Sequence, residues 1–291
     1  MSIEALAKKV DKHNKNKGNS DLPTPTDIAG LTAICARKPS AIQAMVYEPS
    51  VCLILQGSKE TSIGEDQLTL SAGQSVVVSH MVPVVSQIVR ATTEQPYVAL
   101  VFELDLTILR SLVDEVPPAP ENGGRGLRIG TIDAALLDAM DRLFDLLEKP
   151  DEQTVMAPLI AREIHFRLLL GDSGAGLRSL LDRGSAASRV TTAIAQLKER
   201  FTETMAVAEL AAAAGMSLST FHSHFKSVTA KTPLQFQKDL RLMEARRLLT
   251  SGEHNVSMAA FEVGYESPTQ FSREYVRKFG VPPKADRLVI S

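Results

Sequence analysis

Between residues 41 and 103 short apolar runs alternate with turn signals. The runs fall at 42–47, 51–55, 59–63, 67–70, 75–79, 84–91 and 97–102, with Gln56-Gly57-Ser58, Gly64-Glu65-Asp66 and Ser71-Ala72-Gly73 between them. Many short strands joined by tight turns predict an antiparallel barrel or jelly roll. A helix over 107–114 and the Pro/Gly-rich loop 117–124 are expected to end this β region. The period then changes to 3.6: Leu136, Met140, Leu143, Phe144 and Leu147 line one helix face, and Leu159, Ile160, Ile164 and Leu168 line another. After Gly184-Ser185 a further helix begins, with Val190, Ile194, Leu197 and Phe201 on its apolar side. The domain boundary is placed there, giving domains 1–184 (helical part about 132–184) and 185–291. Residues 2–20, rich in Lys and Asn, are expected to form a mobile tail.

The last hundred residues carry one pattern twice, about fifty residues apart. The first copy runs from Val207 through Gly215 and Ser217 to Phe221, Phe225 and Lys226, closing at Thr232-Pro233. The second runs from Val256 through Gly264 and Ser267 to Phe271 and Tyr275, closing at Pro282-Pro283. Alanines in each first helix let a second helix cross closely, and the glycine supplies the left-handed backbone of a short inter-helix turn. Ser217 and Ser267 are natural N-caps, and Pro268 suits a first helical position. Aromatics four apart then form a buried stripe under each second helix and leave its opposite face free. This is a tandem helix-turn-helix pattern, and it points to DNA reading.

At these residues the chain resembles the AraC/XylS family of bacterial transcription regulators, over roughly 188–288. The family's long joining helix has its counterpart in Pro233-Leu-Gln-Phe…Leu240-Arg241-Leu242…Ala245…Leu248-Leu249, and its most specific stretch in Val263-Gly264-Tyr265-Glu266-Ser267…Phe271-Ser272-Arg273-Glu274-Tyr275…Gly280. Two positions depart from the pattern: Ala230 stands for the usual glycine, and Tyr275 for the more common phenylalanine. The N-terminal half resembles a cupin-like subgroup of the same family through Tyr47-Glu-Pro-Ser50…Gln56-Gly57, Ala72-Gly73…Ser79, Pro83-Val84-Val85-Ser-Gln87 and Ala157-Pro158…Ile164. The expected fold class is α+β: an N-terminal antiparallel β-barrel or jelly roll, cupin-like, with helices, followed by an all-α C-terminal domain of two helix-turn-helix units. The resemblance implies double-stranded DNA and RNA polymerase as partners. It also implies an N-terminal domain that binds a small effector, mediates dimerisation, or does both.

Charge adds modestly to this picture. The net charge is −2, but from Ser185 onward 14 Lys and Arg face 10 Asp and Glu. The cationic excess therefore lies with the helix-turn-helix units, as nucleic-acid binding favours, though a solvated surface can look the same. No apolar run approaches eighteen residues and no signal-peptide core opens the chain, so a cytoplasmic, nucleoid-associated location is expected. Cys35 and Cys52 read as buried thiols, without zinc or disulfide spacing. A metal-dependent cupin needs several His and a Glu converging, whereas His80 is alone among the strands. No metal, cofactor or enzymatic activity is expected; a cupin-type enzyme fused to DNA-binding helices is the remote alternative.

The aromatic stripes decide which residues face outward. Ser219, Thr220, His222 and Ser223 in the first unit, and Thr269, Gln270, Ser272 and Arg273 in the second, are the candidates for base edges. Arg suits guanine and Gln adenine, which singles out Arg273 and Gln270. Lys226, Arg277 and Lys278 are candidates for phosphate. Arg241 and Arg246 are expected to brace the two units. A dimer, if formed, is expected to use the helices of residues 132–170, with Leu143 and Leu147 as test positions.

Overall fold

The computed structural model describes residues 2–18, 21–63, 66–117, 126–182, 184–252 and 254–287. Most of the 117–124 loop, Gly64 and Glu65 of one turn, and the end of the N-terminal segment lie outside these residues.

The strand pattern folds into two facing antiparallel sheets. The strands are β1 (Thr24–Pro25), β2 (Leu31–Ala36), β3 (Gln43–Tyr47), β4 (Ser50–Gln56), β5 (Ser58–Ile63), β6 (Asp66–Ser71), β7 (Gln74–Val78), β8 (Val82–Arg90), β9 (Tyr97–Glu103) and β10 (Leu127–Thr131). One sheet has the order β1-β2-β9-β4-β7-β10 and the other β3-β8-β5-β6. The architecture is jelly-roll-like, with two sheets that do not close into a barrel. Each of the seven expected strands is present, within a few residues of its expected ends. The β region does not end at the 117–124 loop: β10 follows it and pairs with β7 from Leu127 opposite Val78 to Thr131 opposite Gln74.

The unbroken apolar run of β4 is explained by burial on both faces. Val51, Leu53 and Leu55 enter a core shared with helices, while Cys52 and Ile54 enter the space between the sheets. The covering helices are α1 (Ile3–Asn16), α2 (Leu106–Leu112), α3 (Ala134–Asp145), α4 (Pro150–Leu170) and α5 (Gly174–Leu181). The N-terminal segment is therefore largely helical rather than a mobile tail. Ser2 caps α1 through the backbone N–H of Ala5, and Leu6, Ala7 and Val10 are buried in the sheet–helix core. Arg37 and Lys9 fasten this helix by ion pairs to Asp11 and to Asp141 and Asp145.

In α3 the predicted stripe is buried, Leu143 completely, and Leu147 packs against it from the edge. In α4 Ile160, Ile164 and Leu168 are buried, but Leu159 is 58 % exposed and so departs from the expected stripe. It joins Val155, Met156, Phe166 and Leu170 as exposed apolar residues of α4. His165 ties this helix to the start of α2, with its Nε2 accepting from the Asp105 N–H at 2.8 Å.

The C-terminal part is all helical: α6 (Ala186–Glu199), α7 (Val207–Ala213), α8 (Leu218–Thr229), α9 (Pro233–Thr250), α10 (Val256–Glu262), α11 (Pro268–Phe279) and α12 (Pro283–Arg287). Two apolar clusters fill it, one under α8 and one under α11, and both include residues of α9. No helix among the described residues is long and apolar enough to cross a membrane.

Candidate nucleic-acid interface

The two repeats build the same turn from the same bonds. Gly215 N–H donates to Ala212 O and Met216 N–H to Ala211 O; Gly264 and Tyr265 do the same to Phe261 O and Ala260 O. Both glycines have positive φ, 62° and 85°. At Gly264 a Cβ would stand 2.1 Å from the Thr202 carbonyl oxygen, so no other residue fits. Ser217 and Ser267 then cap α8 and α11 through the N–H groups of Thr220 and Gln270. Each recognition helix ends on a residue in the left-handed region, Ala230 (φ 58°) and Gly280 (φ 74°). Ala230 is the one non-glycine residue with positive φ among the described residues.

The aromatic stripes lock each helix down. Phe221 and Phe225, and Phe271, Tyr275 and Phe279, are all buried, with neighbouring ring centroids 4.5–5.4 Å apart. The departure at Tyr275 has a use: its hydroxyl donates to Asp286 at 2.7 Å. Asp286 also pairs with Arg246 at 2.7 Å, whose guanidinium lies over the Phe279 ring. Arg241 braces the two units as expected, donating to Phe201 O, Thr202 O and Glu203 O beside the first and to Gly264 O in the turn of the second.

The candidate base readers fall on the outer side of the helices. Ser219, Thr220, His222, Ser223, Thr269, Gln270 and Arg273 are exposed, and Ser272 is half-buried. They are not equally available. The hydroxyls of Ser219 and Thr220 lie 3.3 and 2.8 Å from that of the cap residue Ser217. Ser272 donates back to Pro268 O at 2.8 Å, and Gln270 donates to Glu274 at 3.2 Å. Arg273 has two acids near it in sequence, Glu274 and Asp286, and both are engaged elsewhere: Glu274 with Lys238, Tyr265 and Gln270, Asp286 with Arg246 and Tyr275. Burial alone would raise the Glu274 carboxyl, but the bonds from Lys238, Tyr265 and Gln270 hold it below the ordinary range. This carboxylate, a sequence neighbour of Arg273, instead fastens α11 to α9 through Lys238.

Among the phosphate candidates, Lys226 and Arg277 are exposed. Lys278 is not at the surface: its side chain is 10 % exposed and its Nζ lies 2.6 Å from Asp239, which also pairs with Lys231. Burial, with Lys231 beside it, pushes the Lys278 ammonium down to about 8. The reason is helical phase, because Lys278 follows Phe271 by two turns and so shares its inward stripe. Lys226 and Arg277 line a cleft of about 1100 Å³ whose opposite wall is the open end of the sheet sandwich, at Leu68, Leu127 and Ile129.

A tandem pair of capped, aromatic-locked helix-turn-helix units behind a jelly-roll-like sandwich defines a class of two-part helix-turn-helix proteins. Residues 27–176 match the AraC-type transcriptional regulator N-terminus, and residues 210–288 match a helix-turn-helix domain. The chain belongs to the AraC-type transcriptional regulators. It is 29 % identical to the HTH-type transcriptional activator RhaS of Escherichia coli O1:K1 over 154 residues, 53 % of this chain and 55 % of that one. To the RhaS of Escherichia fergusonii it is 31 % identical over 159 residues, 54 % and 56 % of the two chains. The chain thus spans about half the length of the curated relatives it matches. The fold is similar to that of Vibrio cholerae ToxT, solved with an unsaturated fatty acid bound: TM-score 0.57, 12 % identity, 90 % of this chain and 95 % of that one.

Proposed function

We propose that this chain is a sequence-specific DNA-binding transcriptional regulator whose activity answers to a small-molecule effector. The observation that carries the reading is the duplicated recognition helix: two exposed polar faces, each fixed by its own cap, turn and aromatic stripe, and both braced on α9. In this account α11 enters one major groove through Thr269, Gln270, Ser272 and Arg273. Helix α8 enters the next on the same face of the duplex, about 34 Å away, through Ser219, Thr220, His222 and Ser223. Arg273, with its nearby acids engaged elsewhere, is the principal base reader. The first unit, with short side chains, contributes mainly shape and phosphate contacts, the latter through Lys226, and Arg277 of the second unit is a further phosphate candidate. The C-terminal domain begins near residue 185. RNA polymerase is the proposed partner for the transcriptional output, and a cytoplasmic location follows from that partner.

The N-terminal sandwich is proposed as the effector domain, and the fatty-acid-bound form of ToxT supports a ligand in a protein of this fold. A role in dimerisation is favoured separately by the exposed apolar residues of α4, Val155, Leu159, Phe166 and Leu170. Selection from a pool of randomised duplexes with the full chain tests the DNA reading. Enrichment of two short elements spaced by one helical turn is the expected result, and a pool that stays random overturns the proposal.

A further inference from the structure

Inside the sandwich, away from the recognition helices, Lys59, Tyr47 and Tyr97 converge with no carboxylate among them, and the Cys52 thiol lies within electrostatic reach of Lys59. Lys59 points inward from β5, between its cross-strand neighbours Leu70 on β6 and Ile88 on β8. The residue is 8 % exposed. Its Nζ donates to the Tyr47 hydroxyl at 3.1 Å, and no carboxylate pairs with it among the described residues. From the opposite sheet comes Tyr97, 1 % exposed, whose buried hydroxyl lies within electrostatic reach of Lys59 and donates to no acceptor among the described residues. Burial holds that hydroxyl well above its ordinary pKa, so it stays protonated, and Lys59 is the cation that acts on it. The surrounding walls are apolar, with Ile54, Leu70, Val76 and Ile88 among them.

A buried ammonium is tolerated when an opposite charge and further hydrogen bonds replace the water it has lost. Tyr47 supplies one acceptor, which leaves two N–H groups of Lys59 and the hydroxyl protons of Tyr47 and Tyr97 as donors. One carboxylate brings a single negative charge and about four acceptor positions, which matches that set. We propose that Lys59, Tyr47 and Tyr97 form the binding site for a small monocarboxylate, its apolar body packed against Leu70 and Ile88. Tyr47 also belongs to the apolar end of the sandwich with Ile63, Leu68, Val82 and Leu127. Those four residues line the cleft that faces Lys226 and Lys231. The route into the site therefore passes the helix-turn-helix units. The proposal deepens the effector reading given above and rests on it.

Thermal unfolding of the full chain with sodium acetate, isobutyrate and benzoate is the test, each compared with its neutral amide and with sodium chloride at equal ionic strength. The expected result is a rise in Tm that grows with the logarithm of carboxylate concentration and is absent with the amides and chloride. Lys59→Met should remain folded by circular dichroism and lose the rise. Tyr97→Phe should weaken carboxylate binding by about tenfold in calorimetric titration, as loss of one charge-assisted hydrogen bond predicts. No rise with any carboxylate, an equal rise with amide or chloride, or a rise that persists in Lys59→Met overturns the site. Should Lys59→Met fail to fold, unchanged carboxylate affinity in Tyr97→Phe overturns it. A protein that selects DNA but ignores carboxylates removes this site and leaves the DNA reading standing.

Discussion

Ala230 and Gly280 occupy the same place in the two repeats, and only one of them is glycine. Both residues turn the chain out of a recognition helix at positive φ, and both donate to the carbonyl four residues back, at 2.8 Å. An alanine in this region is strained by about 1 kcal/mol, so Ala230→Gly is expected to stabilise the protein by that amount, read as a higher urea midpoint at unchanged slope. An equal or lower midpoint would show that the chain accommodates alanine there without strain. His80 gives a pH prediction at the same scale. It is buried, its Nδ1 lies 2.8 Å from Ser79 Oγ, and burial pushes its pKa down to about 4. The unfolded chain then binds a proton that the folded chain refuses between pH 6.5 and about 4, so stability is full above that window and falls as pH drops through it. The loss should amount to roughly 3 kcal/mol, and His80→Gln should flatten this part of the stability curve. A variant curve that falls as steeply as the wild type would place the acid sensitivity elsewhere. Residue-level legibility was uneven for a physical reason. Arg273 lies about 200° round α11 from Phe271 and reads as outward from spacing alone. The same spacing places Lys278 on the inward stripe, but its carboxylate partner is Asp239 on α9, a pairing that only the fold brings together.

At the level of elements, the strands between 42 and 103 and the helix-turn-helix units were legible because alternation, glycine turns and caps are local signals. The elements that were missed depend on distant partners. The stripe of α1 is narrow, Leu6 and Val10 with Ile3, amid lysines and asparagines, and it acquires meaning only when the sheet covers it. The strands β2 and β10 consist largely of small or polar residues and are strands because β9 and β7 pair with them. Burial of the α3 stripe takes that helix out of the expected interface and leaves α4. Leu143, on α3, is completely buried, so a charge there unfolds the core rather than testing a dimer. The exposed residues Val155 and Leu159, 65 % and 58 % accessible, are the sound test positions. If α4 forms a two-fold interface, Val155→Glu with Leu159→Glu should shift sedimentation from dimer to monomer with the circular dichroism spectrum unchanged. A dimer that survives both charges rules α4 out.

Over the whole molecule, the N-terminal and C-terminal parts have separate apolar clusters, with Val46 and Met81 packed against the C-terminal one. The ion pair of Lys198 with Glu48 is exposed on both sides and contributes little. Arg246 donates to Ile42 O, and Gly126 passes the Val228 carbonyl so closely that a Cβ there would stand 2.7 Å from its oxygen. A fragment of residues 185–291 is therefore expected to fold alone and keep its DNA preference; a fragment without helical circular dichroism would move the boundary. The central claim is that the exposed face of α11 reads base sequence while cations beside it hold phosphate. Its most direct test is a salt-titrated binding measurement of the full chain and two variants on a selected duplex and on a scrambled one. Arg273→Ala should lose roughly 1 to 3 kcal/mol on the selected duplex only, whereas Lys226→Ala should weaken both duplexes alike and lower the salt slope by about one unit. Equal loss on both duplexes for Arg273→Ala would contradict the account.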